Sequence, residues 1–294
     1  MSDVNFSLRY RRRSAWYNTG MEIPIIFEDS EIVVIDKPSG IVCNRAETIT
    51  EPTLQDWWDG RYSGIRNQEL GIRNEELGSR NQESGSRNED EKYFVERSGL
   101  VHRLDRETSG VMVMAKTTDA FVSLLKQFKQ HSVQKVYMAL THGYWDAKEG
   151  QIDLPIARRR DDRKKFGVRE DGRECVTRYE VHTEYNNWEF PKELKVDDRG
   201  YVGFTLVEFK PRTGRTHQIR VHAKQMGHPI VGDFDYAGRK RSREDRKWAH
   251  RVLLQAQRIE FEHPRNGKRI HFESSDEDLN TALHYLTPAD STRI

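Results

Sequence analysis

The chain has 294 residues, a formal net charge of +2 and 33% charged residues. This length suffices for one large domain or two small ones, with a real buried core. Two cysteines, Cys43 and Cys175, exclude a disulfide framework and a four-cysteine zinc site. No apolar run reaches the roughly 20 residues of a membrane span, and no apolar segment follows the basic N-terminus. We therefore expect a soluble cytoplasmic protein with reduced thiols and no membrane contact.

The first predicted elements are two strands of a hairpin. Residues 23–36, IPIIFEDSEIVVID, contain two β-rich runs separated by a polar turn, and the breaker KPSG follows them. The hairpin is therefore expected to end at a loop.

A seven-residue unit is then repeated over residues 64–91, with one arginine in register in each repeat. Its apolar residues alternate gaps of five and two, whereas a coiled-coil seam needs three and four, and each repeat contains a helix-weakening glycine. We interpret the repeats as a disordered surface insertion within a low-complexity segment of residues 60–97. An RNA-contacting arm is the alternative, weakened because acidic residues outnumber basic ones in the repeats.

Downstream, the pattern favours helices and strands of an α+β protein. Residues 117–131 place Phe121, Leu124, Leu125 and Phe128 at helical spacing behind a Thr-Thr-Asp start. Strand-like segments dominate the rest and few helices lie between them, so we predict a largely antiparallel sheet rather than a doubly wound parallel one. These segments are residues 135–145, 175–185, 200–210 and 253–262.

Residues 213–229 predict a second amphipathic helix. Thr216 is a candidate N-cap, the apolar residues Ile219, Ala223 and Met226 follow at spacings of four and three, and a Gly-His-Pro sequence ends the pattern. Such a helix places Arg220 on a basic face beside the apolar one.

Three stretches concentrate positive charge and indicate RNA as the partner. Residues 158–173 hold eight Lys or Arg against four acids, residues 210–224 hold five against none, and residues 239–251 hold seven against two. A solvated charged face explains any one of these stretches. Three of them in a chain of near-zero net charge favour phosphate contact, with interleaved Phe166 and Trp248 suited to base stacking.

Motifs for other chemistries are absent or weak. The sequence contains no P-loop, no GxGxxG after a strand and no GxSxG elbow. His217, His222 and His228 have spacings that match no familiar zinc motif, so we expect hydrogen-bonding or RNA-facing histidines, with a metal site as the alternative. Asp233 and Asp235 are predicted to cap a turn, with a magnesium site as the alternative.

Six segments, in order, resemble the RluA-type RNA pseudouridine synthases. VHRLDRETSG resembles that family's catalytic-aspartate motif, QKVYMAL its tyrosine motif and PRTGRTHQIRVH its arginine motif. GHPIVGDFDY resembles the segment after the arginine motif, and DKPSGIV and FEHPRNGKRIHF the opening and closing strands. The resemblance runs from about residue 23 to 275, interrupted by the repeats.

The resemblance implies the family's α+β fold with a central RNA-binding cleft and an isomerase that needs no cofactor or metal. Asp105 is then the catalytic aspartate, by attack on ribose C1′ or by a glycal route, which the sequence leaves open. Tyr137 packs on the flipped uracil and removes, or helps to remove, the C5 proton. Arg220 pairs with Asp105, and Arg103 fills the gap left in the RNA stack.

Further residues of the matching motifs are assigned to RNA binding. Lys37 and His102 are supporting residues for which a purely structural role is the alternative, and Arg215 and His217 belong to the arginine motif. The partner is structured ribosomal or transfer RNA, and we expect a monomer. Residues 1–22 form a basic arm too short for the small N-terminal RNA-binding domain that the family often carries, residues 23–280 the catalytic domain and residues 281–294 a tail.

Two other functions remain open from the sequence. One is a binding-only RNA protein on the same fold, which needs none of the three catalytic side chains. The other is a metal-dependent nuclease using Asp105, Asp233 and Asp235, which a chelator would inhibit.

Overall fold

A computed structural model describes residues 22–62, 84–275 and 277–289. Within them the chain forms two compact units. The first comprises the described residues up to Arg106, together with Val111–Val133 and Phe261–Phe272. The second comprises Glu107–Gly110, Gln134–Glu260 and the described residues from Glu273 onwards. The predicted catalytic domain of residues 23–280 thus spans two units.

In the first unit, strands β1 and β2 form the predicted antiparallel hairpin. The predicted amphipathic helix is also confirmed, because Thr117 Oγ1 accepts from the Ala120 N–H at its start and Phe121 and Leu124 are buried. The elements of this unit are β1 (Ile25–Glu28), β2 (Ile32–Lys37), α1 (54–62), α2 (Ser84–Arg97), β3 (Ser109–Ala115), α3 (Thr118–Lys129) and β11 (Arg269–Glu273). Strand β3 belongs to this unit from Val111 onwards, and β11 belongs to it up to Phe272.

Helix α2 corrects the prediction of disorder for the last part of the insertion. It spans Ser84–Arg97, whereas residues 63–83 lie outside the described residues. Its C-terminal half is held by aromatic packing: the Phe94 ring is buried, and the rings of Tyr93 and Phe94 each lie 5.6 Å from that of Phe121. Tertiary packing therefore overrides the weak helix propensity of the repeats. The basic segment at residues 9–13 lies outside the described residues.

The second unit is built around a mixed, mostly antiparallel sheet, as predicted. The hydrogen-bonded order is β10-β4-β9-β8-β12, all antiparallel, with the start of β3 parallel to β10 and with β5 against β8. Strands β6 and β7 form a separate hairpin. The strands are β4 (Gln134–His142), β5 (Glu149–Asp153), β6 (Ile156–Arg158), β7 (Phe166–Val168), β8 (Val176–Trp188), β9 (Phe204–Pro211), β10 (Leu254–Glu262) and β12 (Leu286–Pro288).

The helices of this unit are α4 (Gln218–Gln225), α5 (Arg239–Asp245) and α6 (Glu277–Leu283), with a 3₁₀ turn at Lys192–Leu194. Helix α4 covers one face of the sheet, because Ile219 and Ala223 pack with Ala139 of β4 and with Val207 and Phe209 of β9. Strand residues two apart share a face, so Tyr137 lies on this same covered face.

The start of α4 differs from the prediction. The N-cap is His217, in the left-handed conformation with φ 57°, and not Thr216. Gln218 instead binds the preceding loop, since its Oε1 accepts from the Arg215 N–H at 2.9 Å and from Thr213 Oγ1 at 2.9 Å. This side chain fixes the loop that leads into the helix.

The predicted C-terminal tail is likewise corrected in part. Residues 281–283 belong to α6, and β12 pairs with β8, with Leu286 opposite Trp188. Among the described residues, the helices are too short or too polar to cross a lipid bilayer.

Candidate active site

In the first unit, the Asp105 segment is anchored on both sides by the loop after β2. The Leu104 carbonyl accepts from Cys43 Sγ at 3.3 Å, and the Arg106 carbonyl accepts from the Gly40 N–H at 2.8 Å. Asp105 itself is half-buried between these two fixed peptides. The carboxylate is therefore presented from a segment whose backbone has little freedom.

Lys37 supplies much of this anchoring. Its side chain is fully buried, and its ammonium donates to the carbonyls of Pro38, Ile41 and Arg106 at 2.8, 3.1 and 3.2 Å. A buried ammonium needs such partners because its desolvation is costly. Of the two roles that the sequence left open for Lys37, this burial favours the structural one.

Of the other motif residues of this unit, His102 and Arg106 make contacts within the unit, and Arg103 is exposed to solvent. His102 Nε2 accepts from the Val113 N–H at 3.2 Å, and its ring stacks on Phe128 with centroids 4.7 Å apart. Arg106, which had no predicted role, donates to the Gly40 carbonyl at 3.2 Å and pairs with Glu51 at 2.9 Å. Arg103 is exposed, as contact with RNA requires.

In the second unit, Tyr137 lies on β4 and Arg220 on α4, and these two elements pack against each other. Tyr137 projects from β4 and packs against the cluster that contains Ile219 and Ala223, and these two residues flank Arg220 on α4. The fold of this unit thus brings the tyrosine and arginine motifs, 83 positions apart in the sequence, to the same side of the sheet.

Arg220 is held by two carboxylates of its own unit. Its Nε and Nη2 donate to the two oxygens of Asp233 at 2.7 and 2.8 Å, and Nη2 also donates to Asp235 at 2.9 Å. The guanidinium lies over the Tyr236 ring, 5.0 Å from its centroid. Arg220 and Asp233 are both buried. This bidentate arrangement fixes the plane of the guanidinium as well as its position.

Asp233 also caps the turn that carries Asp235, as the sequence predicted. Its Oδ1 accepts from the backbone N–H groups of Asp235 and Tyr236 at 3.0 and 3.3 Å. The alternative of a magnesium site is not supported, because both oxygens of Asp233 and Oδ2 of Asp235 accept from Arg220.

Tyr236 connects this cluster to the basic hairpin of β6 and β7. Its hydroxyl accepts from the Phe166 N–H at 3.1 Å and is hydrogen-bonded to His217 Nδ1 at 2.8 Å. Burial raises the pKa of the Tyr236 phenol to about 12, so the hydroxyl stays neutral. Lys165 of the hairpin loop donates to the Asp235 carbonyl at 3.2 Å. The hairpin is thus fastened to the same turn that holds Arg220.

The remaining predicted site residues have defined surroundings. Arg215 Nε donates to the Glu174 carbonyl at 3.3 Å. His222 is fully buried, with Thr177 Oγ1 and the Leu154 carbonyl at 2.9 and 3.0 Å, and burial lowers its pKa. His228 Nδ1 lies 3.1 Å from the His142 carbonyl. The three histidines considered as zinc ligands are therefore hydrogen-bonded within the unit, as expected.

Comparison with known proteins identifies the class. The sequence profile of the RNA pseudouridylate synthase family matches residues 31–225. The chain is 35% identical to an uncharacterized RNA pseudouridine synthase of Aquifex aeolicus, over 89% of this chain and 72% of the relative. It is 32% identical to ribosomal large subunit pseudouridine synthase D of Pseudomonas aeruginosa, over 88% of this chain and 70% of the relative.

Solved structures share the fold. Human RNA pseudouridylate synthase domain containing 1 aligns with a TM-score of 0.63 at 23% identity, covering 91% of this chain and 89% of that one. The chain belongs to the RluA-type RNA pseudouridine synthase family, and it is accordingly an RNA pseudouridine synthase, an isomerase.

Sequence reasoning missed the partners of two residues, Lys37 and Arg220. The carbonyl partners of Lys37 leave no trace in a sequence, because they are backbone atoms. Asp233 and Asp235 were recognised as turn residues but not as the partners of Arg220, although a buried arginine requires an acceptor.

We expect Lys37→Met to lower the free energy of unfolding by about 1–3 kcal/mol, because three carbonyls lose a charged donor. Urea unfolding followed by circular dichroism measures the change. Lys126→Met, at an exposed position of α3, is the matched control and should leave the stability within about 0.5 kcal/mol. Equal stability of the two variants would contradict the anchoring role.

Asp233→Asn should lower the free energy of unfolding by about 3–5 kcal/mol, because it breaks a buried ion pair and leaves the arginine charge poorly compensated. Asp235→Asn is the control. The Asp235 side chain is 40% exposed, so its loss should cost less than about 1 kcal/mol. The same urea experiment measures both, and an equal effect of the two changes would be evidence against Asp233 as the principal partner.

Proposed function

We propose that this protein converts a uridine of ribosomal RNA to pseudouridine, with Asp105 as the catalytic carboxylate. Support for the substrate class comes from the names of its relatives, several of which are ribosomal large subunit pseudouridine synthases C or D. A ribosomal RNA substrate agrees with the cytoplasmic location and monomeric state predicted from the sequence.

The observation that carries the proposal is the anchoring of the Asp105 segment. A carboxylate that acts on a ribose carbon must be held within a fraction of an ångström of its productive position. Hydrogen bonds to the carbonyls of both neighbouring residues, Leu104 and Arg106, provide such support. Asp105 either attacks C1′ or assists release of the uracil through a glycal.

Tyr137 and Arg220 complete the proposed machinery. Tyr137 packs on the flipped uracil and takes part in removal of the C5 proton once the ring has turned. Arg220, whose guanidinium is held by Asp233 and Asp235, is proposed to pair with Asp105 and to keep that carboxylate ionised. The proposal requires the three side chains to act on the same nucleotide.

A base that flips out of the RNA loses its stacking interactions, which costs free energy. Exposed Arg103 is proposed to occupy the position that the base leaves in the stack. Arg215 and His217 are proposed to contact the RNA from the arginine motif. His102 supports the catalytic segment through its contacts with Val113 and Phe128.

The basic hairpin is the proposed phosphate-binding element. Its loop, residues 159–165, carries Arg163 and Lys164 at exposed positions, and Arg158 packs its guanidinium on the Phe166 ring, 5.0 Å from the centroid. One cation of the loop, Arg159, is partly neutralised because it pairs with Asp161. Exposed, uncompensated cations are those expected to displace counterions from RNA.

Asp105→Asn should reduce the rate of pseudouridine formation by about three orders of magnitude or more, because the amide can neither attack nor stabilise positive charge. Tritium released from C5-labelled uridine in unmodified ribosomal RNA measures the reaction under single-turnover conditions. Asp119→Asn, at an exposed position of α3, is the matched control and should be as active as the wild type.

A binding-only protein would retain RNA affinity and release no tritium from the wild type at any enzyme excess. Product formed at equal rates by the wild type and Asp105→Asn would refute the role of Asp105.

Arg163→Gln combined with Lys164→Gln should flatten the salt dependence of RNA affinity. Each lost phosphate contact reduces the slope of log affinity against log salt concentration by roughly 0.7–0.9. Filter binding between about 50 and 200 mM salt measures the slope. Lys126→Gln combined with Lys129→Gln, on the exposed side of α3, is the control of equal charge. An unchanged slope in the hairpin variant would exclude the hairpin loop as a phosphate-binding element.

A further inference from the structure

Lys135 is a second functional group on the strand that carries Tyr137. The two residues are separated by one position on β4, so their side chains leave the same face of the sheet roughly 7 Å apart. No role was assigned to Lys135 from the sequence. Its position beside Tyr137 places it within reach of a base that packs on the tyrosine ring.

The surroundings of Lys135 hold its ammonium near the arginine motif. Its Nζ donates to the Thr213 carbonyl at 3.2 Å, and a Cβ at Gly214 would lie 4.0 Å from Nζ. Apolar Ile259 of β10 lies opposite it in the strand register. The ammonium therefore lies between β4 and the loop that leads into the helix of Arg220, and it remains partly exposed.

The charge of Lys135 is poorly compensated inside its unit. Among the described residues, the acids on the strands beside β4 pair with other cations: Glu260 with Arg258 at 2.9 Å and Glu208 with Lys210. The loop after β9 adds the cations Arg212 and Arg215. Burial lowers the pKa of the Lys135 ammonium to about 8, with no acidic group raising it. One carbonyl serves an ammonium that has three donors.

A recessed cation with one protein acceptor suits an anion that forms only in the reaction. When the N1–C1′ bond breaks, its electron pair stays on the uracil and is shared by N1 and the two carbonyl oxygens, O2 and O4. A donor prepositioned for that charge accelerates the step, because it requires no reorganisation when the charge appears. Permanent phosphate charges are better matched by the exposed cations of the hairpin loop.

We propose that the Lys135 ammonium stabilises the uracil anion by donating a hydrogen bond to a uracil carbonyl oxygen as the N1–C1′ bond breaks. The ammonium keeps its proton, and no further reagent is needed. The carbonyl oxygen keeps this interaction while uracil turns to present C5 to C1′. The charge is lost when the C5–C1′ bond forms, and loss of the C5 proton to a base is followed by protonation of N1. This role rests on the proposed function and adds a catalytic residue to it.

The test uses the full-length protein and C5-tritiated ribosomal RNA in single-turnover reactions. Lys135→Met should lower the rate constant at saturating enzyme about 10²-fold or more, with the dissociation constant for RNA unchanged within about twofold. In the wild type, the second-order rate constant should fall as pH rises through about 8, because the protonated form is the active one. Lys135→Arg should retain activity and lose this alkaline fall.

A chemical rescue covers the case in which arginine does not fit. Lys135→Cys alkylated with 2-bromoethylamine regains an ammonium and should regain activity, whereas alkylation with iodoacetamide should not restore it. The two native thiols, Cys43 and Cys175, are buried and are not expected to react in the folded protein. Mass spectrometry confirms the site of alkylation.

Four outcomes would overturn the proposal. A loss confined to RNA affinity would make Lys135 a phosphate contact, and a loss of thermal stability with unchanged rate and pH profile would make it structural. A rate that rises through pH 8 would require the neutral amine as a base. Equal rescue by the two alkylating reagents would exclude the charge. Absence of product from the wild type would instead refute the proposed function, so the two failures are distinguishable.

Discussion

The buried ion pair between Arg220 and Asp233 is the constraint on which the second unit's contribution to the site depends. One guanidinium faces two carboxylates, those of Asp233 and Asp235, so this cluster carries no net positive charge of its own. Arg220 consequently acts on its surroundings by orientation more than by net charge. Because the two carboxylates fix the plane of the guanidinium, the directions of its N–H donors are fixed as well.

Three buried or recessed cations illustrate how the protein compensates charge in different ways. Lys37 is fully buried and donates to three carbonyls, an arrangement typical of a supporting residue. Arg220 is saturated on one edge by carboxylates and is thereby oriented. Among the described residues, Lys135 has one carbonyl acceptor, and burial lowers its pKa. The desolvation of its charge is therefore offset only when an anion forms beside it. The degree of compensation within the protein thus separates supporting from reacting groups.

The sequence predicted most of the secondary structure because its signals are local. Alternating runs identified β4, β8, β9 and β10, and Thr117 identified the start of α3. Prediction failed where distant contacts decide the outcome. Helix α2 forms from a sequence with poor helix propensity because Phe94 is buried against Phe121, and α4 begins at His217 because Gln218 binds the preceding loop. Within the site, motif matching found Arg220, whereas its carboxylate partners become apparent only when the turn at Asp233 is folded.

The basic hairpin and Arg220 are both held by Asp235 and Tyr236, so RNA binding at the hairpin is coupled to the orientation of Arg220. Asp235 accepts from Arg220 through its side chain and from Lys165 through its carbonyl, and the Tyr236 hydroxyl holds Phe166 of the hairpin while its ring lies under the guanidinium. A displacement of the hairpin on RNA binding would therefore also displace the turn that orients Arg220. Because the tie consists of backbone and buried polar contacts, the hairpin and the arginine are expected to move together. Rigid attachment of this kind lets phosphate contacts made at the hairpin contribute to positioning at the reacting nucleotide, and this is how remote binding energy promotes a chemical step.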